Sequence, residues 1–87
     1  RKVHRSDANQ KEIIDTLRRA GAEVYVIGRP VDLLVFWGKW VPVEIKNPEG
    51  RNRLTTDQEQ FLETTRGPVA IVDSPEGAIK TIQRLIH

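Results

Sequence analysis

The segment Arg29-Pro30-Val31-Asp32-Leu33-Leu34-Val35-Phe36-Trp37-Gly38-Lys39-Trp40-Val41-Pro42-Val43-Glu44-Ile45-Lys46 is the most hydrophobic stretch of the chain, and it carries two carboxylates and a lysine among its apolar residues. It reads as two strands joined by a tight turn at Gly38. An isolated buried carboxylate costs several kcal/mol or takes up a proton, so Asp32, Glu44 and Lys46 need either one another or a cation. A metal-dependent site is the expectation that accounts for all three.

Side-chain alternation fixes part of the geometry. Along the second of these strands Val41, Val43 and Ile45 face one way and Trp40, Pro42, Glu44 and Lys46 the other, so Glu44 and Lys46 share a face. Asp32 joins them only under a condition on the turn. A two-residue Gly38-Lys39 turn pairs Leu33 with Glu44 and leaves Asp32 on the wrong face, whereas an odd loop, with Phe36 opposite Trp40 or Trp37 opposite Val41, brings it across. An odd loop or a bulge is therefore expected, unless the start of the preceding strand twists enough to swing Asp32 across. In the preceding strand Val31, Leu33 and Val35 line one side and Leu34 and Phe36 the other, the pattern of a central strand covered on both faces.

Upstream, Asp7-Ala8-Asn9-Gln10 has capping-box spacing, with Ser6 or Asp7 as cap. Ile13, Ile14, Leu17 and Ala20 then follow at helical intervals, so a helix is expected over 8–20, stopped by Gly21. Its apolar centre turns Gln10 inward and Glu12 outward. Glu23–Ile27 reads as the first strand. Downstream, 47–54 reads as a loop holding Arg51 and Arg53, suited to contacting phosphate. Thr55 to Gln58 repeats the capping-box spacing, with Phe61 and Leu62 as the apolar side of a second helix ending near Arg66-Gly67-Pro68. Val69–Val72 reads as a short buried strand. Asp73-Ser74-Pro75-Glu76 then opens a last helix with Ala78, Ile79, Ile82, Leu85 and Ile86 inward. The expected order is αβββαβα.

The 87 residues make one domain, since a chain this short buries roughly 60 to 65% of its unfolded surface and cannot support two cores. There is no Cys, and His4 and His87 stand at opposite ends, which excludes thiolate zinc sites and points to oxygen ligands and hence to Mg²⁺ or Mn²⁺. The net charge of +2 does not by itself imply a nucleic-acid partner. Basic residues do cluster at Arg1, Lys2 and Arg5, at Arg18 and Arg19, and at Arg51 and Arg53; for the first two clusters a merely solvated face is an equal reading. No run approaches the ~18 apolar residues of a membrane span, and no signal peptide precedes the domain, so a soluble intracellular protein with no membrane partner is expected.

Pro30-Val31-Asp32, eleven intervening residues and Glu44-Ile45-Lys46 resemble the motif of the PD-(D/E)xK nuclease superfamily. With Asp7-Ala8-Asn9-Gln10, Val43-Glu44-Ile45-Lys46-Asn47, Leu54-Thr55-Thr56-Asp57-Gln58 and Ala70-Ile71-Val72-Asp73-Ser74-Pro75-Glu76-Gly77-Ala78, the chain from about Asp7 to Leu85 is similar to the small stand-alone VRR-NUC domains (virus-type replication-repair nucleases). The resemblance implies an α/β, restriction-endonuclease-like αβββαβ core with a C-terminal helix and a mixed central sheet. It implies a divalent-metal-dependent DNA endonuclease acting on branched DNA of the Holliday-junction or flap type, a homodimer, and a phage or prophage replication and repair setting in the cytoplasm of a bacterial host.

On that resemblance Asp32, Glu44 and the backbone carbonyl of Ile45 are the metal ligands, and Lys46 orients or helps deprotonate the attacking water. Gln58 corresponds to a site glutamine of the family and could reach the metal site from the second helix. Gln10 stands where many members carry a glutamate; its amide limits it to a weaker or water-mediated metal contact. Both glutamines have helix capping as the alternative role. Trp37 and Trp40 could stack on a base or on a second subunit, although cross-strand packing is the commoner use of such residues. Two other functions fit the chain: a non-catalytic DNA-binding or recombination accessory module on the same fold, and a structural interaction domain with a chance motif.

Overall fold

Ile13, Ile14 and Leu17, three and four residues apart, form the apolar stripe of helix α1 (Arg5–Arg19) and are buried. The computed structural model describes residues 5–46 and 56–87. Arg51, Arg53 and Thr55 therefore lie outside the described residues, as do Arg1 and Lys2. The helix begins before both expected caps, so Ser6 and Asp7 are within it; Ser and Asp occupy first turns as well as cap positions, and residue type alone does not fix the boundary. At the other end Gly21, with φ of 106°, donates to the Arg18 carbonyl while Ala22 donates to Leu17, a Schellman closure. Ala20 is exposed rather than inward, because it has already left the helical stripe.

Strands β1 (Glu23–Val26), β2 (Leu33–Phe36), β3 (Trp40–Ile45) and β4 (Ala70–Val72) lie side by side in sequence order. The pairs β1–β2 and β2–β3 are antiparallel, whereas β4 runs parallel to β3 after the crossover that contains α2 (Thr56–Thr64). Helix α3 (Pro75–Ile86) follows. The fold is α/β with a mixed sheet and the element order αβββαβα, as expected. Ser74 caps α3, its Oγ accepting from the Gly77 amide at 3.0 Å, with Pro75 at the first helical position.

One face of the sheet, made by Val24, Leu33, Val35, Val41, Val43, Ala70 and Val72, packs against α1 and α3, whose Ile13, Leu17, Ala78 and Ile82 complete the core. Truncating one of these large side chains, as in Leu17→Ala, costs about 2–5 kcal/mol. The opposite face is only partly covered. Leu34 and Phe36 are half-buried there, and Ile71 is exposed, so neither β2 nor β4 is enclosed on both sides. The reason is topological: α1 and α3 take the same face, and short α2 meets the other through Gln58 at Glu44, near the end of β3. Trp40 packs on Phe36, its cross-strand partner, with ring centroids 5.0 Å apart, and on Tyr25 at 6.0 Å. Trp37 packs against the core. No helix among the described residues is long and apolar enough to cross a membrane.

Candidate metal and phosphodiester site

The turn between β2 and β3 decides the site. Phe36 pairs with Trp40 and Leu33 with Val43, so the loop is Trp37-Gly38-Lys39, an odd number of residues. Gly38 takes φ of 80°, which side chains resist, and Trp37 N–H donates to the Lys39 carbonyl at 3.0 Å. This register puts Asp32, immediately before β2, opposite the Glu44 end of β3. Its Oδ2 accepts from the Ile45 amide at 2.8 Å, a hydrogen bond that also borders the carboxylate with the Ile45 main chain.

Glu44 is buried, only 5% exposed, and Asp32 and Lys46 are half-buried beside it. Burial, followed by the charge and hydrogen bonding of Asp32, pushes the Glu44 carboxyl up to about 7; an Asp32 backbone hydrogen bond and the Lys46 ammonium pull it the other way. The Gln58 amide, at the third helical position of α2, donates to Glu44 Oε1 at 3.2 Å and Oε2 at 3.3 Å. Four of the expected site residues, Asp32, Glu44, Lys46 and Gln58, are thus assembled at one end of the sheet, and the Ile45 backbone lies with them.

Gln10 is half-buried on α1, and its side chain makes no hydrogen bond to another described residue, while Glu12 is exposed, as its outward direction requires. The contact from α1 comes instead from Asn9. Its Nδ2 donates to the carbonyls of Lys46, at 3.4 Å, and Asp73, at 3.2 Å, joining the helix to the ends of β3 and β4. Asn9 lay within the quoted capping-box segment, but nothing local distinguishes a bridging asparagine from a solvated one. Arg29, which no local motif marks, pairs with Asp57 at 3.3 Å, next to Gln58. Arg18 and Arg19 are used within the fold, donating to the Val24 and Asp15 carbonyls.

Among the described residues no group of three or more His, Cys, Asp and Glu side chains could hold a metal ion. The arrangement offers two carboxylates and main-chain oxygen, with a lysine adjacent. Comparison of the chain with protein-family models, with curated proteins and with solved structures finds no match.

Proposed function

We propose that the protein is a divalent-metal-dependent DNA endonuclease that hydrolyses phosphodiester bonds in branched DNA. The observation that carries this reading is the three-residue Trp37–Lys39 loop, which sets Asp32 opposite Glu44 and so brings two acids and Lys46 to one end of the sheet. The donor set suits Mg²⁺ or Mn²⁺: the ligands are hard oxygens, and Mg²⁺ typically takes one or two carboxylates and completes its shell with water and substrate phosphate. A buried glutamate whose proton is held up to about 7 by a second carboxylate is also a group that a cation would relieve.

Asp32, Glu44 and the Ile45 carbonyl would hold the ion. When bound, it acts as Lewis acid on the phosphoryl oxygen and makes water nucleophilic at neutral pH. Gln58 holds the Glu44 carboxylate in orientation, and the Ile45 amide does the same for Asp32. The Lys46 ammonium orients the attacking water and offsets negative charge gathering on the phosphoryl oxygens. One P–O bond forms from water as the bond to the leaving sugar oxygen breaks. Symmetric cleavage of a junction needs two sites, which a homodimer supplies along with the buried surface that a small chain lacks.

A substrate panel tests the reading. Labelled four-way junction, flap and linear duplex are incubated with Mg²⁺, Mn²⁺ or EDTA, and cleavage of the branched forms with metal alone is expected. Binding without cleavage under either metal would replace the nuclease with a DNA-binding accessory module.

A further inference from the structure

Arg29 lies in the connection between β1 and β2, which is tied back to the site: the amides of Ile27 and Gly28 both donate to the Asp32 carbonyl, at 3.0 and 3.1 Å. From this anchored loop its Nη1 reaches Asp57 Oδ2 on α2 at 3.3 Å. Asp57 directly precedes Gln58, whose amide holds Glu44. Arg29 therefore stands at the rim of the site, between the loop end that supplies Asp32, just before β2, and the helix that supplies Gln58.

The pair is open to solvent, with the two side chains 74% and 58% exposed. Such pairs contribute about 0–1 kcal/mol, so little holds the guanidinium to its present partner. A phosphate offers the same guanidinium two charge-assisted hydrogen bonds in a matching planar geometry. Arg18 and Arg19, by contrast, are directed to the carbonyls of Val24 and Asp15, whereas Arg29 is attached to this rim through Asp57.

Resting on the nuclease reading, we propose that Arg29 binds a DNA backbone phosphate next to the one attacked, and that Asp57 holds the guanidinium in the free protein until the phosphate displaces it. Asp57 thereby competes with DNA for Arg29.

Binding of a labelled four-way junction is measured by fluorescence anisotropy with Mg²⁺, in a Lys46→Ala background that suppresses cleavage, over a range of salt concentrations. Arg29→Ala weakens binding roughly 10-fold and lowers the slope of log K against log salt by about 0.9, the signature of one lost phosphate contact on duplex. Arg29→Lys keeps the slope, and Asp57→Asn tightens binding. Melting curves establish that each variant is folded. An unchanged slope in Arg29→Ala, or weaker binding in Asp57→Asn as well, overturns the inference and makes the pair a brace for α2. If the background protein binds no DNA and the wild type cleaves none, the nuclease reading itself falls and this inference with it.

Discussion

Gln58 donates through one nitrogen to both carboxylate oxygens of Glu44, at 3.2 and 3.3 Å. Straddling the carboxylate in this way fixes its plane inside a buried setting, where an acceptor lacking a donor is destabilising. Gln58→Ala is expected to lower Mn²⁺ affinity roughly 10- to 100-fold, read by isothermal titration calorimetry. Gln58→Glu sets a third acid against Asp32 and Glu44 and should lower the melting temperature in EDTA more than in Mg²⁺. Equal Mn²⁺ affinity in Gln58→Ala and wild type would reduce Gln58 to a residue of α2 with no part in the site.

The raised Glu44 pKa predicts how stability varies with pH without metal. The folded state holds the proton up to about 7 while the unfolded chain releases it near 4.5, so the folded state binds more protons between those values and stability falls as pH rises through them. In EDTA the Tm should decline from about pH 5 to about pH 7.5, and Glu44→Gln should flatten that decline. Divalent-ion affinity should rise over the same window, since binding requires the carboxylate. A wild-type Tm that climbs over this interval to the same extent as in Glu44→Gln would remove Glu44 as the titrating group.

Asn9 joins α1 to the carbonyls that end β3 and begin the approach to α3. Asn9→Ala should cost about 1 kcal/mol, a fall in Tm of roughly 4–8 °C for a domain of this size. Asn9→Asp should be worse, because it replaces a donor with an acceptor facing two carbonyl oxygens. Thermal unfolding of the two variants decides the matter; Asn9→Asp as stable as wild type would mean that the bridge contributes nothing.

Much of the fold was legible from periodicity. The stripe of Ile13, Ile14 and Leu17, the alternation from Trp40 to Lys46 and the Ser74-Pro75 helix start each express a local rule that packing did not override. For the site, parity narrowed the turn to an odd loop, and the Phe36–Trp40 pairing is one of the two registers it allowed. Coverage of the sheet was less legible. Leu34, Phe36 and Ile71 are apolar like residues enclosed on both sides, yet whether a second layer covers them depends on where three helices settle, which strand composition does not encode. Asn9 and Arg29 escaped for a related reason: the partners of Asn9 lie 37 and 64 residues away and that of Arg29 lies 28 away, and only the folded arrangement brings them within reach.

The central claim is that Asp32, Glu44 and Lys46 form a hydrolytic site, and the most direct measurement is the single-turnover rate of Mg²⁺-dependent junction cleavage by wild type and Lys46→Ala. The account predicts cleavage by the wild type that EDTA abolishes, and a rate lower on the order of 10²-fold or more in the variant with its melting curve retained. Equal rates in the two proteins, or no cleavage by the wild type with either Mg²⁺ or Mn²⁺, would contradict it.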